Sequence, residues 1–393
     1  MLKLEKLFLK KDCYKRVRDG HLWVFSNELT AIPKLPAGCI VQLLDQFGKS
    51  YGKCIYNPNS LIALRLLKTE AEIDVEFFKD RITKAKSHRE LLLPETNNYR
   101  LVYGESDYLP GLIIDKFENS FVMQIVSFGM DELKGLITQA LLEIFPETNY
   151  ILSKANSKLR EIEGLPLNDE ILFGADPGKI TTSDNEIKLE ISISEGQKTG
   201  YYLDQRFNRY EVRKLSHGKS VLDCYTNQGG FALNACKGGA VSVTAVDSSN
   251  QALETADLNA KMNNFEIDFV QGDVAEFLSY SISGNKKWDI VILDPPAFTK
   301  NKKTIATATA AYSKLNKLGM QVLNDGGFLV TSSCSHHISE EMFVDIIKKT
   351  ASKINKQLKL VHRGTQPPDH PVLISMPETS YLKFFIFRME EIK

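Results

Sequence analysis

Four aspartates fall where a ligand-binding sheet would need them. Asp223 follows SerValLeu, Asp247 closes ValSerValThrAlaVal, Asp273 follows PheValGlnGly and Asp294 follows IleValIleLeu. In open α/β sheets, ligands sit at the carboxyl ends of the strands near the topological switch point. Any one of these acids could be a helix cap, since Asp is favoured there, but four at successive strand ends form a pattern. A dinucleotide would call for GxGxxG, which brings backbone N–H groups onto a pyrophosphate. The loop at 224–230 has only Gly229 and Gly230 and begins beside Asp223, which would repel a pyrophosphate. It suits a ligand with an amino group and a positive centre, with Asp247 accepting both ribose hydroxyls. S-adenosylmethionine fits that description and NAD does not, so a dehydrogenase is a poor reading.

The elements that must position these acids are legible from about residue 218 onward. Strand-like SerValLeuAspCysTyr, ValSerValThrAlaValAsp, PheValGlnGlyAsp, TrpAspIleValIleLeu and GlyGlyPheLeuValThrSerSerCysSer alternate with helical stretches. Two β-rich runs, LeuLysLeuValHisArgGly and TyrLeuLysPhePheIlePheArgMet, close the chain and suggest a hairpin. The pattern predicts an α/β, doubly wound, Rossmann-like sheet, mostly parallel, with one antiparallel strand at its end. Residues 1–70 carry short apolar runs between turn signals, as in a small β-barrel. Residues 72–95 are helix-like up to Pro94, and a strand–strand–helix–strand alternation follows to about 190. Three domains are expected: 1–70, a central α+β domain at 71–190, and 191–393.

The 393 residues, 43% hydrophobic and 25% charged, have ordinary globular composition with room for two or three domains. No apolar run approaches the roughly 20 residues needed to span a bilayer, and the charged amino terminus does not read as a secretory leader. Cys13, Cys39, Cys54, Cys224, Cys236 and Cys334 are scattered, without CxxC pairs or zinc spacing. That usage fits a reducing cytoplasm with no disulfide framework and no metal site. Net charge is zero, yet residues 1–70 hold twelve Lys/Arg against six Asp/Glu, a local +6. A basic amino-terminal unit fits either a phosphate-backbone partner or a merely solvated face.

Several motifs, in order, resemble one family. They are GlnLysThrGlyTyrTyrLeuAspGlnArg (197–206), AspCysTyrThrAsnGlnGlyGlyPhe (223–231), LeuAspProProAlaPhe (293–298), SerCysSer (333–335) and ProAspHisPro (368–371). Together they closely resemble the bacterial ribosomal RNA large-subunit methyltransferase I family, which makes 5-methylcytosine in 23S rRNA. HisLeuTrpValPheSerAsnGlu (21–28) looks like that family's PUA domain, an RNA-binding module, and residues 104–115 look like its central domain. The resemblance implies that Asp223, Asn227, Gly229, Asp247 and Asp273 contact the cofactor, with Lys198 and Tyr201 over its pocket. Tyr225, Ser248, Val274 and Asp294 complete the expected cofactor set, and Pro295, Phe298, Asp369 and His370 are expected to meet the substrate. Ser332 and Ser333 stand where other members carry Thr or Phe, and His336 and His337 follow the key cysteine.

Cytosine carbon 5 is a poor nucleophile until a thiolate adds at carbon 6, so the implied chemistry demands a cysteine at the base pocket. Cys334 ends the fifth strand, next to the Asp294 strand end. The bland reading, a small buried hydrophobe, suits the other cysteines better. A neighbouring imidazole could lower its pKa, although His336 and His337 could equally be surface residues. Asp294 would hold the cytosine N3/N4 edge, while Phe298 could stack on a base or pack in the core. Many RNA cytosine methyltransferases carry a second cysteine in this motif, but Pro296 and Ala297 stand here. Lys300, Lys302 and Lys303 could meet phosphates or form a solvated loop. The expected partners are RNA, 23S rRNA first, and a second copy in a homodimer, with no membrane. Two rivals remain: methylation of a ring or exocyclic nitrogen, and an RNA-binding assembly factor with a vestigial site.

Overall fold

A computed structural model describes residues 4–155, 157–194, 199–299 and 301–391. The chain forms two compact units. The first comprises Met1–Ile180, Ser192–Leu203 and Pro368–Thr379; the second comprises Thr181–Ile191, Asp204–Pro367 and Ser380–Lys393.

The first unit holds two five-stranded sheets. Strands β1 (Lys6–Phe8), β2 (Trp23–Phe25), β3 (Ile40–Leu44), β4 (Ser50–Tyr56) and β5 (Ile62–Leu66) pair in the order β1-β3-β4-β5-β2, with α1 (Tyr14–Arg18) between the first two. Their inward residues, among them Leu7, Val24, Val41, Leu43, Cys54 and Leu64, form one core. Helix α2 (Val75–Leu92) starts where the Asp74 carboxylate accepts the Phe77 N–H at 2.9 Å, and it ends ahead of Pro94. The second sheet has the order β10-β9-β8-β7-β6. It is built from β6 (Asn98–Tyr103), β7 (Leu112–Phe117), β8 (Ser120–Ile125), β9 (Tyr150–Ser153) and β10 (Glu170–Gly174). Helices α3 (Phe128–Glu132) and α4 (Lys134–Ile144) join β8 to β9, and α5 (Lys158–Glu163) joins β9 to β10.

Glu163 ties the two sheets together. Its buried carboxylate accepts from Ser60 Oγ at 2.6 Å, Asn57 Nδ2 at 2.8 Å and Arg65 Nη2 at 3.0 Å. Burial alone would raise this acid, but Ser60, Arg65 and Asn57 together hold it below its ordinary value.

A two-stranded ribbon, β11 (Ile180–Asp184) and β12 (Ile187–Ile191), precedes α6 (Arg206–Leu215). Then come β13 (Ser220–Cys224), α7 (Gly230–Lys237), β14 (Ser242–Asp247), α8 (Asn250–Met262), β15 (Asp268–Gln271) and α9 (Val274–Ser283). The chain continues through β16 (Trp288–Leu293), α10 (Ile305–Gln321), β17 (Leu323–Ser333), α11 (Glu340–Ser352), β18 (Lys356–Gly364) and β19 (Lys383–Glu391). The seven strands are ordered β15-β14-β13-β16-β17-β19-β18. In the central strands both faces are covered, which is why these read as unbroken apolar runs. Leu222, Val291, Leu293, Leu329 and Phe385 pack into the core on one face; Val221, Ile290, Ile292, Val330 and Phe384 pack into that on the other.

The antiparallel strand, expected at the sheet's end, is not the edge. β19 is inserted between β17 and β18 and runs antiparallel to both, so the edge strand is β18. β18 and β19 do pair as a hairpin would, but residues 365–382 lie between them, so no tight turn joins them. A late strand can insert because its backbone pairs on both sides, and Phe384, Phe385 and Ile386 bury side chains on both faces. Among the described residues no helix is long and apolar enough to cross a membrane.

Candidate active site

Parallel register aligns the strand ends of the second unit. Cys224 pairs with Val246 on one side and Leu293 on the other, and Leu293 pairs with Thr331. Asp223, Asp247, Asp294 and Cys334 therefore lie along one edge of the sheet, and Asp273 follows Gly272 just past the end of β15.

The loop after β13 carries local strain. Tyr225, Asn227 and Gly229 all adopt left-handed backbone, with φ of 64°, 50° and 82°. Only the glycine does so at no steric cost, and for tyrosine the conformation is an outlier of the sort that clusters at ligand sites. The turn is held by Asp247, whose Oδ2 accepts the Asn227 N–H at 2.9 Å, and by Thr226 N–H on Val246 O at 3.1 Å. Gly230 opens α7 against Arg209: a Cβ there would lie 2.6 Å from the guanidinium Nε.

Asp223 is wholly buried beneath this loop. Its Oδ2 accepts from Thr226 Oγ1 at 2.6 Å and from Ala232 N–H at 3.0 Å, while Oδ1 has no hydrogen-bond partner among the described residues. Burial pushes this carboxyl up to about 7, Thr226 and Ala232 oppose the rise, and the nearby Asp294 adds to it. A buried acceptor oxygen without a donor is costly, and a ligand ammonium would relieve it. Asp247 accepts Asn227 N–H and Ser249 N–H, leaving further lone pairs for ribose hydroxyls. Helix α8 is capped by Ser249, not Asp247, so Asp247 is not needed as a cap. Asp273 is itself the cap of α9, accepting Glu276 N–H at 3.0 Å. Ser248 is exposed at the end of β14, Val274 is buried at the start of α9, and Tyr225 packs half-buried against the core. These residues fit S-adenosylmethionine.

The neighbouring strand ends form a second group. Asp294 Oδ1 accepts from Ser332 Oγ and from Gln205 Nε2, the latter at 3.0 Å. Burial raises this carboxyl, against the opposing pull of Ser332, Arg209 and Gln205, with Asp204 adding to the rise. Cys334 is half-buried. The residues flanking it are fixed by one hydroxyl: Ser333 Oγ donates to Tyr312 OH at 2.9 Å, and Tyr312 OH lies 3.0 Å from Ser335 Oγ. Elsewhere, burial pushes the Cys54 and Cys224 thiols up and Cys236 up to about 12, as expected of inert core cysteines. Phe298 packs on Tyr312 with ring centroids 4.7 Å apart, and Pro295 is buried. Gln205, Tyr312 and Lys383 were not singled out from sequence, although Gln205 lies inside the 197–206 motif.

The remaining expected site residues lie outside the described residues or in the first unit. Lys198 and Lys300 lie outside the described residues. Tyr201 is buried within the Ser192–Leu203 segment of the first unit. Asp369 and His370 also belong to the first unit, both buried; Asp369 accepts Arg100 N–H at 3.0 Å and sits 2.9 Å from His370 Nδ1, whose ring lies 5.4 Å from Tyr103.

Basic residues gather around α1 and the β3–β4 turn. A hollow of about 390 Å³ is lined by Arg18, Lys49, Tyr51, Lys68 and Glu70. Arg18 and Lys49 are exposed, with Lys49 Nζ 5.7 Å from the Tyr51 ring centroid.

Comparison with known proteins agrees with this architecture. Residues 170–388 match the S-adenosylmethionine-dependent methyltransferase family model, and residues 7–69 match a PUA-like domain. The protein is thus a methyltransferase of the S-adenosylmethionine-dependent class with a PUA-like domain. Ribosomal RNA large subunit methyltransferase I of Vibrio campbellii is 38% identical over 389 residues, covering 96% of this chain and 98% of its own. Its Escherichia coli O139:H28 counterpart is 34% identical, covering 98% and 99%. The chain belongs to the ribosomal RNA large subunit methyltransferase I family. A solved protein described as a methyltransferase, complexed with S-adenosylhomocysteine, superposes with a TM-score of 0.86 at 22% identity, covering 98% of this chain and 100% of that one. A Streptococcus mutans structure gives 0.84 at the same identity and coverage. Both likenesses concern the fold.

Proposed function

We propose that this chain methylates carbon 5 of a cytosine in large-subunit rRNA, 23S rRNA in the first place, with Cys334 as nucleophile. The observation that carries the reading is that Cys334 and Asp294 end adjacent strands and are tied by Ser332, two residues before the cysteine. The family's name supplies the rRNA; the thiol beside a base-holding carboxyl supplies the position on the ring.

The Cys334 thiolate adds to carbon 6, and the ring electrons move toward carbon 5, which becomes nucleophilic. S-adenosylmethionine supplies the electrophilic methyl group. Asp294, raised by burial, is suited to hold the N3/N4 edge as charge develops on the ring. Loss of the carbon 5 proton to a base and expulsion of the thiolate restore the aromatic ring. Asp223 and Asp247 hold the amino and ribose groups of the methyl donor, and the basic hollow around Arg18 and Lys49 meets RNA phosphates. Such a substrate implies a cytoplasmic protein.

One observation favours a second reading. The Asp294-Pro295-Pro296-Ala297-Phe298 run is of the kind that grips an amino group in nitrogen methyltransferases, yet Phe298 is engaged with Tyr312. RNA carrying 5-fluorocytosine at the target position distinguishes the two. Fluorine cannot leave as a cation, so the cytosine mechanism stalls as a covalent Cys334 adduct after methyl transfer, whereas nitrogen methylation gives none. Mapping bisulfite-resistant cytosines in rRNA with and without the protein finds the target.

A further inference from the structure

We propose that Lys383 is a positioning residue for the nucleophile: its buried ammonium, anchored to the backbone at Cys334's neighbour, keeps Cys334 as a thiolate. The inference rests on the reading of Cys334 as nucleophile.

Lys383 opens β19 and stands directly opposite Ser333 in the antiparallel register. It is buried, and its Nζ donates to Ser335 O at 2.7 Å and Tyr381 O at 2.7 Å. Those carbonyls use two of its three N–H groups, and the third has no acceptor among the described residues. Lysines are almost never kept inside a protein without a charged partner. Neither carbonyl carries a charge. Burial pushes the ammonium down to about 8, and the strongest opposing pull comes from Cys334, followed by Glu340. That attraction is mutual, because the anion favouring an ammonium is itself favoured by it.

Among the described residues, the neighbouring groups named next do not supply this charge. Glu340, from the start of α11, is paired with Arg363 at 2.6 Å. Tyr312 from α10, Tyr381 ahead of β19 and Asp294 after β16 carry no positive charge. His336 lies in Cys334's own turn, its ring 5.6 Å from Tyr381. Loss of solvent around that ring, then Lys383 and His337, hold it below the ordinary imidazole value. That imidazole is thus disfavoured as a cation, by burial first and then by Lys383. In forming the pair the thiol proton leaves to solvent, and Lys383 keeps its three protons below its own value of about 8.

The test follows alkylation of Cys334 by iodoacetamide across pH, read from the Cys334 peptide by mass spectrometry in the full chain without RNA. The midpoint for the unsubstituted protein should lie below the ordinary thiol value of about 8.5. Lys383→Met should raise it by about one unit or more, and Lys383→Arg should restore most of the difference. Calorimetric binding of S-adenosylmethionine checks that the variants keep their fold. A midpoint at or above the ordinary value in the unsubstituted protein overturns the proposal without any variant, as does an unchanged midpoint in folded Lys383→Met. Failure of the nucleophile reading is separate: a low midpoint with no 5-fluorocytosine adduct would remove the cytosine chemistry and leave the Lys383–Cys334 pair standing.

Discussion

The Ser332 hydroxyl donates to Asp294 Oδ1 across the ends of two adjacent parallel strands. This bond ties the strand that delivers Cys334 to the one that delivers the Asp-Pro-Pro turn. Both groups that the proposed cytosine chemistry would use are thereby held next to strand ends, which favours a reactive geometry.

Cys334→Ser should bind S-adenosylmethionine with unchanged affinity and lose turnover by about 100-fold or more, because a serine hydroxyl is scarcely ionised near neutrality. Methyl incorporation into rRNA and calorimetry read the two arms. Turnover near that of the parent protein would exclude covalent catalysis by this residue.

Asp223 gives a pH signature. Burial pushes its carboxyl up to about 7, and a cofactor ammonium against it would favour the ionised form. Affinity for S-adenosylmethionine should therefore tighten as pH rises toward about 7 and level off above it. The gain approaches tenfold per unit well below that value. Binding should release protons in the lower range, measurable by calorimetry in buffers of different ionisation enthalpy. Asp223→Asn should bind more weakly and lose this dependence.

Asp247→Ala should weaken cofactor binding by more than one hydrogen bond's worth. A bond to a charged group contributes about 1.5–3 kcal/mol, and the same carboxylate fixes the Asn227 and Ser249 N–H groups. Asp247→Asn keeps part of that scaffold and should fall between. Equal affinities for all three proteins would take Asp247 out of the site.

For RNA binding, substitution is a cleaner probe than deletion of residues 1–70, because deletion would strip Asn57, Ser60 and Arg65 from buried Glu163. Arg18→Gln with Lys49→Gln should weaken RNA binding and leave cofactor binding alone. The log–log salt slope should become shallower by about 0.7 for each phosphate no longer neutralised. An unchanged slope would mark the hollow as a solvated surface.

Glu163 also makes a stability prediction. Arg65→Met should cost about 3–5 kcal/mol by leaving a buried charge with reduced compensation. Because Glu163 is held below its ordinary value, its pairing stabilises the protein above the unfolded carboxylate range of about 4.3. That contribution is lost as pH falls through the folded value. Denaturant unfolding at pH 7 and at acid pH below about 4.3 would show the gap between the two proteins narrowing in acid.

The strand ends that frame the candidate site were legible in the order of residues, because their signals are local. Strands covered on both faces must be apolar throughout, so each acid ending such a run announces a strand end. The loop from Asp223 to Gly230, too poor in glycine for a pyrophosphate, carried the cofactor's class, and the run of motifs carried the family. What sequence could not decide depends on pairing between distant segments. β19 enters between β17 and β18 because backbone hydrogen bonding and two apolar faces allow it, and no local pattern specifies that neighbour. Its insertion sets Lys383 opposite Ser333 and lets its Nζ donate to Ser335 O, the carbonyl of the residue after Cys334. Asp223 rises to about 7 for the same reason: burial and an acid on the next strand are properties of the assembled sheet.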